Sequence, residues 1–333
     1  MDDLMNTDGL VSWRVLFAEA TERLAAAGLN SAAVEARRIV ATAAGCDDAA
    51  WHRELDRPAT RRGVASFDSM LGRRIAGEPL QYVLGSWGFR TLDLFVDRRV
   101  LIPRPETEVV AGRALEELQC RAEESAGGGG VPLRSSTQAR VSAARGPTPP
   151  PPSAAPRRAP VLLAADLGCG SGAIGLSLAA ECLDVEVICT DVSADALAVA
   201  SANLAGLGRP AQRVRLAEGS WYEALPGDLR GRFDVIVSNP PYIAEGSDSL
   251  PAEIADYEPP VALYSGESGQ EATGEILAGS TNWLAPGGAV ILEMADGTSD
   301  RVQDLAHSSG LVDVSVRRDL AGAERVLVAR RPG

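Results

Sequence analysis

The chain has 333 residues and is 45% hydrophobic, enough for one large domain or two ordinary ones. Its 32 basic residues, all arginine, stand against 45 acidic ones, and a net charge of -13 argues against gripping nucleic acid through phosphates over a wide surface. Five cysteines without C-x-x-C spacing and two distant histidines, His52 and His307, argue against a zinc site and fit a reducing compartment.

The opening "MDDLMNTDG" has neither the basic nor the apolar region of a signal peptide. No run reaches the ~18 apolar residues of a membrane span, so a soluble cytoplasmic protein is expected. From residue 8 to 76 the pattern is helical. Trp13, Leu16, Phe17, Ala20 and Leu24 recur at three- and four-residue spacing up to Gly28. "NSAAVEARRIVATAAG" follows, with Ser31 as cap and Gly45 as stop. A short helix and a longer one complete a small helical domain over 1–78.

Residues 80–102 change period. Aromatic and β-branched residues alternate around Gly85 and Gly88, which predicts a β-hairpin connector over 79–103. "PRPETEVVAGRALEEL" then opens a helix, with Pro105 near its first position and acids in its first turn. Residues 121–160 are rich in Gly, Pro, Ser and Ala. They read as a disordered insertion, locally basic with six Arg against two Glu, either a solvated linker or a tether for an acidic partner. From 161 onward strand and helix alternate, and the last two strands make a plausible antiparallel pair. This pattern predicts a doubly wound α/β sheet over the domain 104–333.

"DLGCGSGAIG" (166–175) joins the first of these strands to a helix. Gly168, Gly170 and Gly172 let the backbone pass close to a ligand, and the helix amides favour negative groups. The stretch also satisfies G-x-G-x-x-G/A with Ala173 last, and Asp191 ends the next strand, placed for ribose hydroxyls. The motif indicates a nucleoside-containing cofactor without choosing between NAD and S-adenosylmethionine.

"FDVIV" runs into "SNPPYI" (238–243), where Pro240 and Pro241 cannot donate to a ladder. This is a strand stop before a core tyrosine, or a rigid edge that displays Asn239 and Tyr242. Asp166 before the glycines, the acid at the second strand and N-P-P-Y at the fourth together resemble class I S-adenosylmethionine-dependent methyltransferases, a Rossmann-like seven-stranded fold. In that family the glycine loop passes the methionine part and Asp191 would hold the ribose. The resemblance implies that Asn239 and the Pro240 carbonyl accept hydrogen bonds from a substrate NH2. Such acceptors would stabilise the charge that builds on nitrogen during methyl transfer and aim it at the methyl. No strong general base is needed, because the proton leaves after charge has developed. Tyr242 would offer its ring face to a planar substrate.

N-P-P-Y fits methylation of adenine amines and of glutamine amides alike. "RRIAGEPLQYVLGSWGFRTLDLFVDRRVLIPRPETE" (73–108), "EARRIVATAAG", "GSWYEAL", "EPPVAL" and "RDLAGAERVLVARR" resemble the glutamine methyltransferases of class-I peptide chain release factors, the PrmC or HemK family. The likeness covers nearly the whole chain except 121–160. It implies cofactor contacts at Asp166, Gly168, Cys169, Gly170, Ser171, Gly172, Asp191, Trp221 and Asn239. It implies substrate contacts at Asn239, Pro240, Pro241 and Tyr242, with Asn239, Pro240 and Tyr242 carrying catalysis and no metal. Trp221 would lie near the adenine, or serve as a core aromatic. Arg104, Pro105 and Glu106 would brace the pocket wall, and Glu106 and Glu108 serve the helix dipole or form an acid pair.

The implied substrate is the glutamine of a Gly-Gly-Gln tip on the release factor, gripped by the N-terminal helices, with S-adenosylhomocysteine as the second product and a monomeric enzyme. Rival readings are a ribosomal-protein glutamine, a DNA adenine amine or a non-catalytic ribosome-associated binder. The DNA reading lacks a target-recognition domain or a basic cleft; the binder reading lacks a damaged site. Ser220, where the family often has an acid, and "ILEMADG" (291–297), read chiefly as core, depart from the family pattern.

Overall fold

A computed structural model describes residues 11–127, 161–247 and 250–333. Five helices come first: α1 (Trp13–Ala26), α2 (Ala32–Ala44), α3 (Trp51–Glu54), α4 (Arg61–Ile75) and α5 (Leu80–Leu84). Trp13, Leu16, Ala20 and Leu24 bury one stripe of α1 against Ile39, Phe67 and Leu71. Gly45 ends α2 in the left-handed region, where a side chain would be strained. Thr60 caps α4 by accepting the Gly63 N–H at 3.0 Å. Ser31 occupies the cap position of α2 but makes no side-chain cap bond.

The hairpin expected over 80–102 is shorter than its sequence pattern. Residues 80–84 are the helix α5, and the strands are β1 (Ser86–Phe89) and β2 (Leu92–Phe95). Leu80 and Val83 are three apart, so one helical turn sinks both into the helical core. Tyr82 is buried too, and its hydroxyl donates to the Val100 carbonyl at 2.5 Å. Tertiary burial outweighs the β preference of its aromatic and branched residues.

Next come α6 (Pro105–Gly127), β3 (Leu162–Leu167), α7 (Ala173–Glu181), β4 (Val185–Asp191), α8 (Ala194–Gly206), β5 (Val214–Glu218) and β6 (Phe233–Ser238). After them lie α9 (Ala252–Ala255), α10 (Glu271–Trp283), β7 (Leu284–Glu293), α11 (Ser299–Ser308), β8 (Val312–Arg318) and β9 (Glu324–Arg330). The seven-stranded sheet runs β5-β4-β3-β6-β7-β9-β8. β9 runs antiparallel to both its neighbours while the pairings from β5 to β7 are parallel, so the closing pair β8–β9 forms as expected. The strand order reverses beside β3, and the ends of β3, β4 and β6 open a crevice there. This is the class I methyltransferase fold, with helices packed on both faces of the sheet.

Two boundaries differ from the sequence reading. Helix α6 continues through 121–127, which that reading gave to the insertion; the rest of the insertion lies outside the described residues. Arg121 donates through Nε and Nη2 to Asp234 Oδ1, both at 3.2 Å, while Asp234 Oδ2 accepts the Leu163 N–H at 3.0 Å. One carboxylate at the start of β6 thus fastens the end of α6 to the start of β3. The Pro286–Gly288 stretch lies inside β7 as an irregularity rather than in a turn before it. The register jumps from Phe233↔Leu284 to Val235↔Ala289, with Gly287 at φ +72.

Candidate active site

One cavity lies over the carboxyl ends of β3, β4 and β6. Asp166, Gly168, Cys169, Gly170, Ser171, Asp191, Trp221, Asn239 and Pro241 line it together. Sequence positions up to 75 apart thus meet, because parallel strands all end on one edge. Gly172, Pro240 and Tyr242 are not among the lining residues. Gly172 sits at the N-cap of α7, with φ +84, and Pro240 is buried. Tyr242 lies near Glu293 rather than in the lining, and burial pushes its phenol up to about 12.

The glycine loop is fixed from both sides. Gly168, Gly170 and Gly172 all have positive φ, and Gly168 and Cys169 donate their N–H groups to the Thr190 carbonyl at 2.8 and 2.9 Å. Asp191 Oδ2 accepts the Gly170 N–H at 2.8 Å, and Oδ1 the Ser193 N–H at 2.9 Å. A carboxylate has about four acceptor sites, so with these amides bound it keeps room for a ligand hydroxyl. Burial raises the Asp191 carboxyl, and the amides of Ser193, Gly170 and Val192 oppose that shift. Asp166 is more deeply buried: its Oδ2 accepts the Gly175 N–H at 2.8 Å, and desolvation pushes it up to about 7. Asn203 of α8 binds both the Phe95 backbone and the Ser171 carbonyl, which ties the hairpin to the loop.

Trp221 roofs the loop. Its ring stands 3.1 Å from where a Cβ on Gly168 would be, and its indole N–H donates to Glu275 Oε2 at 2.9 Å. Its φ of +43 is unusual for a bulky residue and marks a strained position at the cavity wall. Trp221 also packs on the core, the core-aromatic role that the sequence allowed for it, while part of the residue lines the cavity.

Strand β6 ends where Ser238 Oγ donates to the Leu167 carbonyl at 2.6 Å and the two prolines stop the ladder. Beyond them Ile243 pairs with the 263–265 segment. Arg104 forms an ion pair with the buried Glu258, whose Oε2 also accepts the Ile102 N–H. The pair links the entry of α6 to the segment before the lining residue Pro259. Glu108 accepts the Arg90 N–H at 3.0 Å, and neither it nor Glu106 lines the cavity.

The sequence reading missed Thr107, Glu258, Glu275 and Glu293. Thr107 hides between Glu106 and Glu108 in "PETE", yet it lines the cavity and receives the Asn239 amide N–H at 3.2 Å. Glu293 was read as part of a core strand. An acid in the apolar run "AVILEM" was the available signal. It is fully buried at the end of β7, and desolvation pushes its carboxyl up to about 7.

A family model described as the PrmC N-terminal domain matches residues 16–85, and one described as the methyltransferase small domain matches residues 159–254. A release factor glutamine methyltransferase of Xylella fastidiosa strain Temecula1 is 36% identical over 96% of this chain and 98% of its own. Enzymes of the same name from Bordetella pertussis (38% identical, 79% of this chain, 81% of its own) and Cereibacter sphaeroides (35%, 94% and 96%) are also similar. With these relatives matched along nearly the whole chain, and with the glycine loop, Asp191, Asn239 and Pro241 gathered on one crevice of this sheet, the chain belongs to the release factor glutamine methyltransferase family.

Proposed function

We propose that this chain methylates the side-chain amide nitrogen of the glutamine in the Gly-Gly-Gln motif of class-I peptide chain release factors, in support of translation termination. The observation that carries the reading is the placement of Asn239 beside the glycine loop in one cavity, in a chain similar to such enzymes along nearly its whole length. The methyl source is S-adenosylmethionine, and the residues present fit it. Gly168, Cys169, Gly170 and Ser171 offer backbone to its polar end, Asp191 has lone pairs for the ribose, and Trp221 has a ring face for the base. When bound it supplies an electrophilic methyl on a positively charged sulfur.

The chain's own residues then act on the incoming amide. Its nitrogen lone pair is delocalised, so attack builds positive charge on that nitrogen. The Asn239 oxygen accepts one of its N–H groups in the cavity, and the Pro240 carbonyl, between the lining residues Asn239 and Pro241, takes the other, so that the pair orients the amide and stabilises that charge without reorganising. Pro241 keeps the turn rigid, and Tyr242 supports it from behind. Residues 1–78 recognise the protein substrate, 79–103 connect, and 104–333 carry the transfer. No described helix is long and apolar enough to cross a membrane, which accords with work in the cytoplasm, and the reading is of a monomer.

The test is transfer of labelled methyl from S-adenosylmethionine, offered purified release factor, ribosomal protein and DNA side by side. Label on the release-factor glutamine is expected. Label on DNA alone, or on ribosomal protein in preference to release factor, overturns the reading.

A further inference from the structure

Three side chains from three elements form a chain of hydrogen bonds that the proposed transfer does not yet use. Thr107, in the first turn of α6, donates its hydroxyl proton to Glu293 Oε2 at 2.6 Å, at the end of β7. Asn239, at the end of β6, donates its amide N–H to Thr107 Oγ1 at 3.2 Å. Glu293 is 0% exposed and Thr107 4%. The second Glu293 oxygen, Oε1, has no hydrogen-bond partner among the described residues.

A buried carboxyl with one neutral donor is a poor stability device. Burying an acid without full compensation is unfavourable, and an apolar residue of similar size would serve the core better. What the acid contributes is direction. A carboxylate only accepts, so the Thr107 hydroxyl has to point its one proton at Glu293. Oγ1 is then left with lone pairs alone and can only accept. Asn239 therefore has to turn its NH2 toward Thr107, which leaves Oδ1 facing the cavity. Without that constraint the amide has two nearly isosteric orientations, and one of them meets a substrate NH2 with donors.

We propose that Thr107 and Glu293 are positioning residues that lock the Asn239 amide with its oxygen toward the cavity, and so make the site select an acceptor that bears N–H groups. This inference rests on the proposed amide transfer and adds the source of its polarity. It also gives a pH dependence. A protonated Glu293 can donate to Thr107, which frees the threonine proton and lets Asn239 turn over. Glu106, Arg104, Arg325 and Tyr242 are the charged and titratable groups that face Glu293 from the start of α6, from β9 and from the turn after β6. With burial as the largest influence, the carboxyl titrates near 7, so kcat is expected to rise as pH increases through that value.

The test uses Thr107→Val, which keeps the shape and removes the hydroxyl, with Thr107→Ser as the rescue and Glu293→Gln as the pH arm. In Thr107→Val, kcat is expected to fall about 10- to 100-fold, as for a misplaced acceptor, with the S-adenosylmethionine dissociation constant within about threefold of wild type. Thr107→Ser should restore most of the rate. Glu293→Gln should lose the limb of the kcat profile near pH 7. A second readout does not depend on methyl transfer. The chain has only five asparagines, so 15N-asparagine labelling gives a sparse side-chain amide spectrum in which Asn239→Ala assigns the Asn239 pair. The hydrogen-bonded shift of that pair should vanish in Thr107→Val and persist in Thr107→Ser. An unchanged Asn239 signal in Thr107→Val overturns the inference, and so does a loss of rate that serine does not restore. If the wild-type protein methylates no release factor, the functional reading fails, while the amide spectrum still decides the orientation of Asn239.

Discussion

Replacing Asn239 by alanine removes an acceptor but no part of the glycine loop. The expected result is a fall in kcat of about 100- to 1000-fold, the scale for losing one preorganised polar partner of a reacting group. Cofactor affinity measured by calorimetry should change little, because Asp191 and the loop amides are untouched. A variant that transfers methyl at near wild-type rate would remove Asn239 from the reaction. At this scale the sequence was informative where chemistry is carried by contiguous residues. The glycines and Asn239–Tyr242 announce themselves through spacing and strand ends. Thr107 does not, since it stands in an ordinary first turn, and the acid inside the apolar run at Glu293 does not point to a partner 186 positions away. Tyr242 shows the reverse: its motif membership suggested a ring open to substrate, whereas the cavity lining does not include it.

Gly175, the third residue of α7, packs that helix on β4. A Cβ there would stand 2.3 Å from Cys189 Sγ and 3.0 Å from Asp166 Oδ2. Both neighbours are buried strand residues, so neither yields easily. Gly175→Ala is expected to lower unfolding free energy by about 1–3 kcal/mol and to weaken cofactor binding by shifting the loop. Urea unfolding with and without S-adenosylmethionine checks both, and an unchanged midpoint would show that α7 can ride outward freely. Element identity was largely legible from periodicity, including every strand of the large sheet. The misreadings share one origin, tertiary partners that local preference does not reveal. Leu80 and Val83 fold as a helical turn because the helical core takes them, and α6 continues to 127 with Arg121 paired to Asp234. Local composition at 121–127, poor in large apolar residues, gave no hint of that pairing.

Across the whole molecule, two sets of carboxyls pull stability in opposite directions with pH. Burial holds Asp166 and Glu293 near 7 and raises Asp191 and Glu258. Between the usual carboxylate range and about pH 7 the folded chain therefore binds protons that the unfolded chain has released, so stability falls as pH rises through that window. The Arg73 hydrogen bond lowers Glu78 and the Arg99 hydrogen bond lowers Asp97, and their contribution is lost only as pH falls below that range. Self-repulsion at a net charge of -13 adds to the first trend. Thermal unfolding from pH 4 to 8 should give a maximum in mildly acidic buffer, with a shallower alkaline slope in Glu293→Gln. A melting temperature that climbs steadily to pH 8 would contradict this account.

The carboxylate of Asp234 has a further consequence. It holds the end of α6 with one oxygen and the start of β3 with the other, at the amino end of β6, while the reacting groups stand at the carboxyl end of that strand. Arg121 and Leu163 are thus tied to a single fixed point, roughly 15 Å or more of strand away from the chemistry. Closing a longer excursion there adds only a slowly growing entropy cost. Residues 128–160 are joined to the sheet through Val161, next to the tied start of β3, so a fluorescent protein spliced in among them is expected to leave methyl transfer intact.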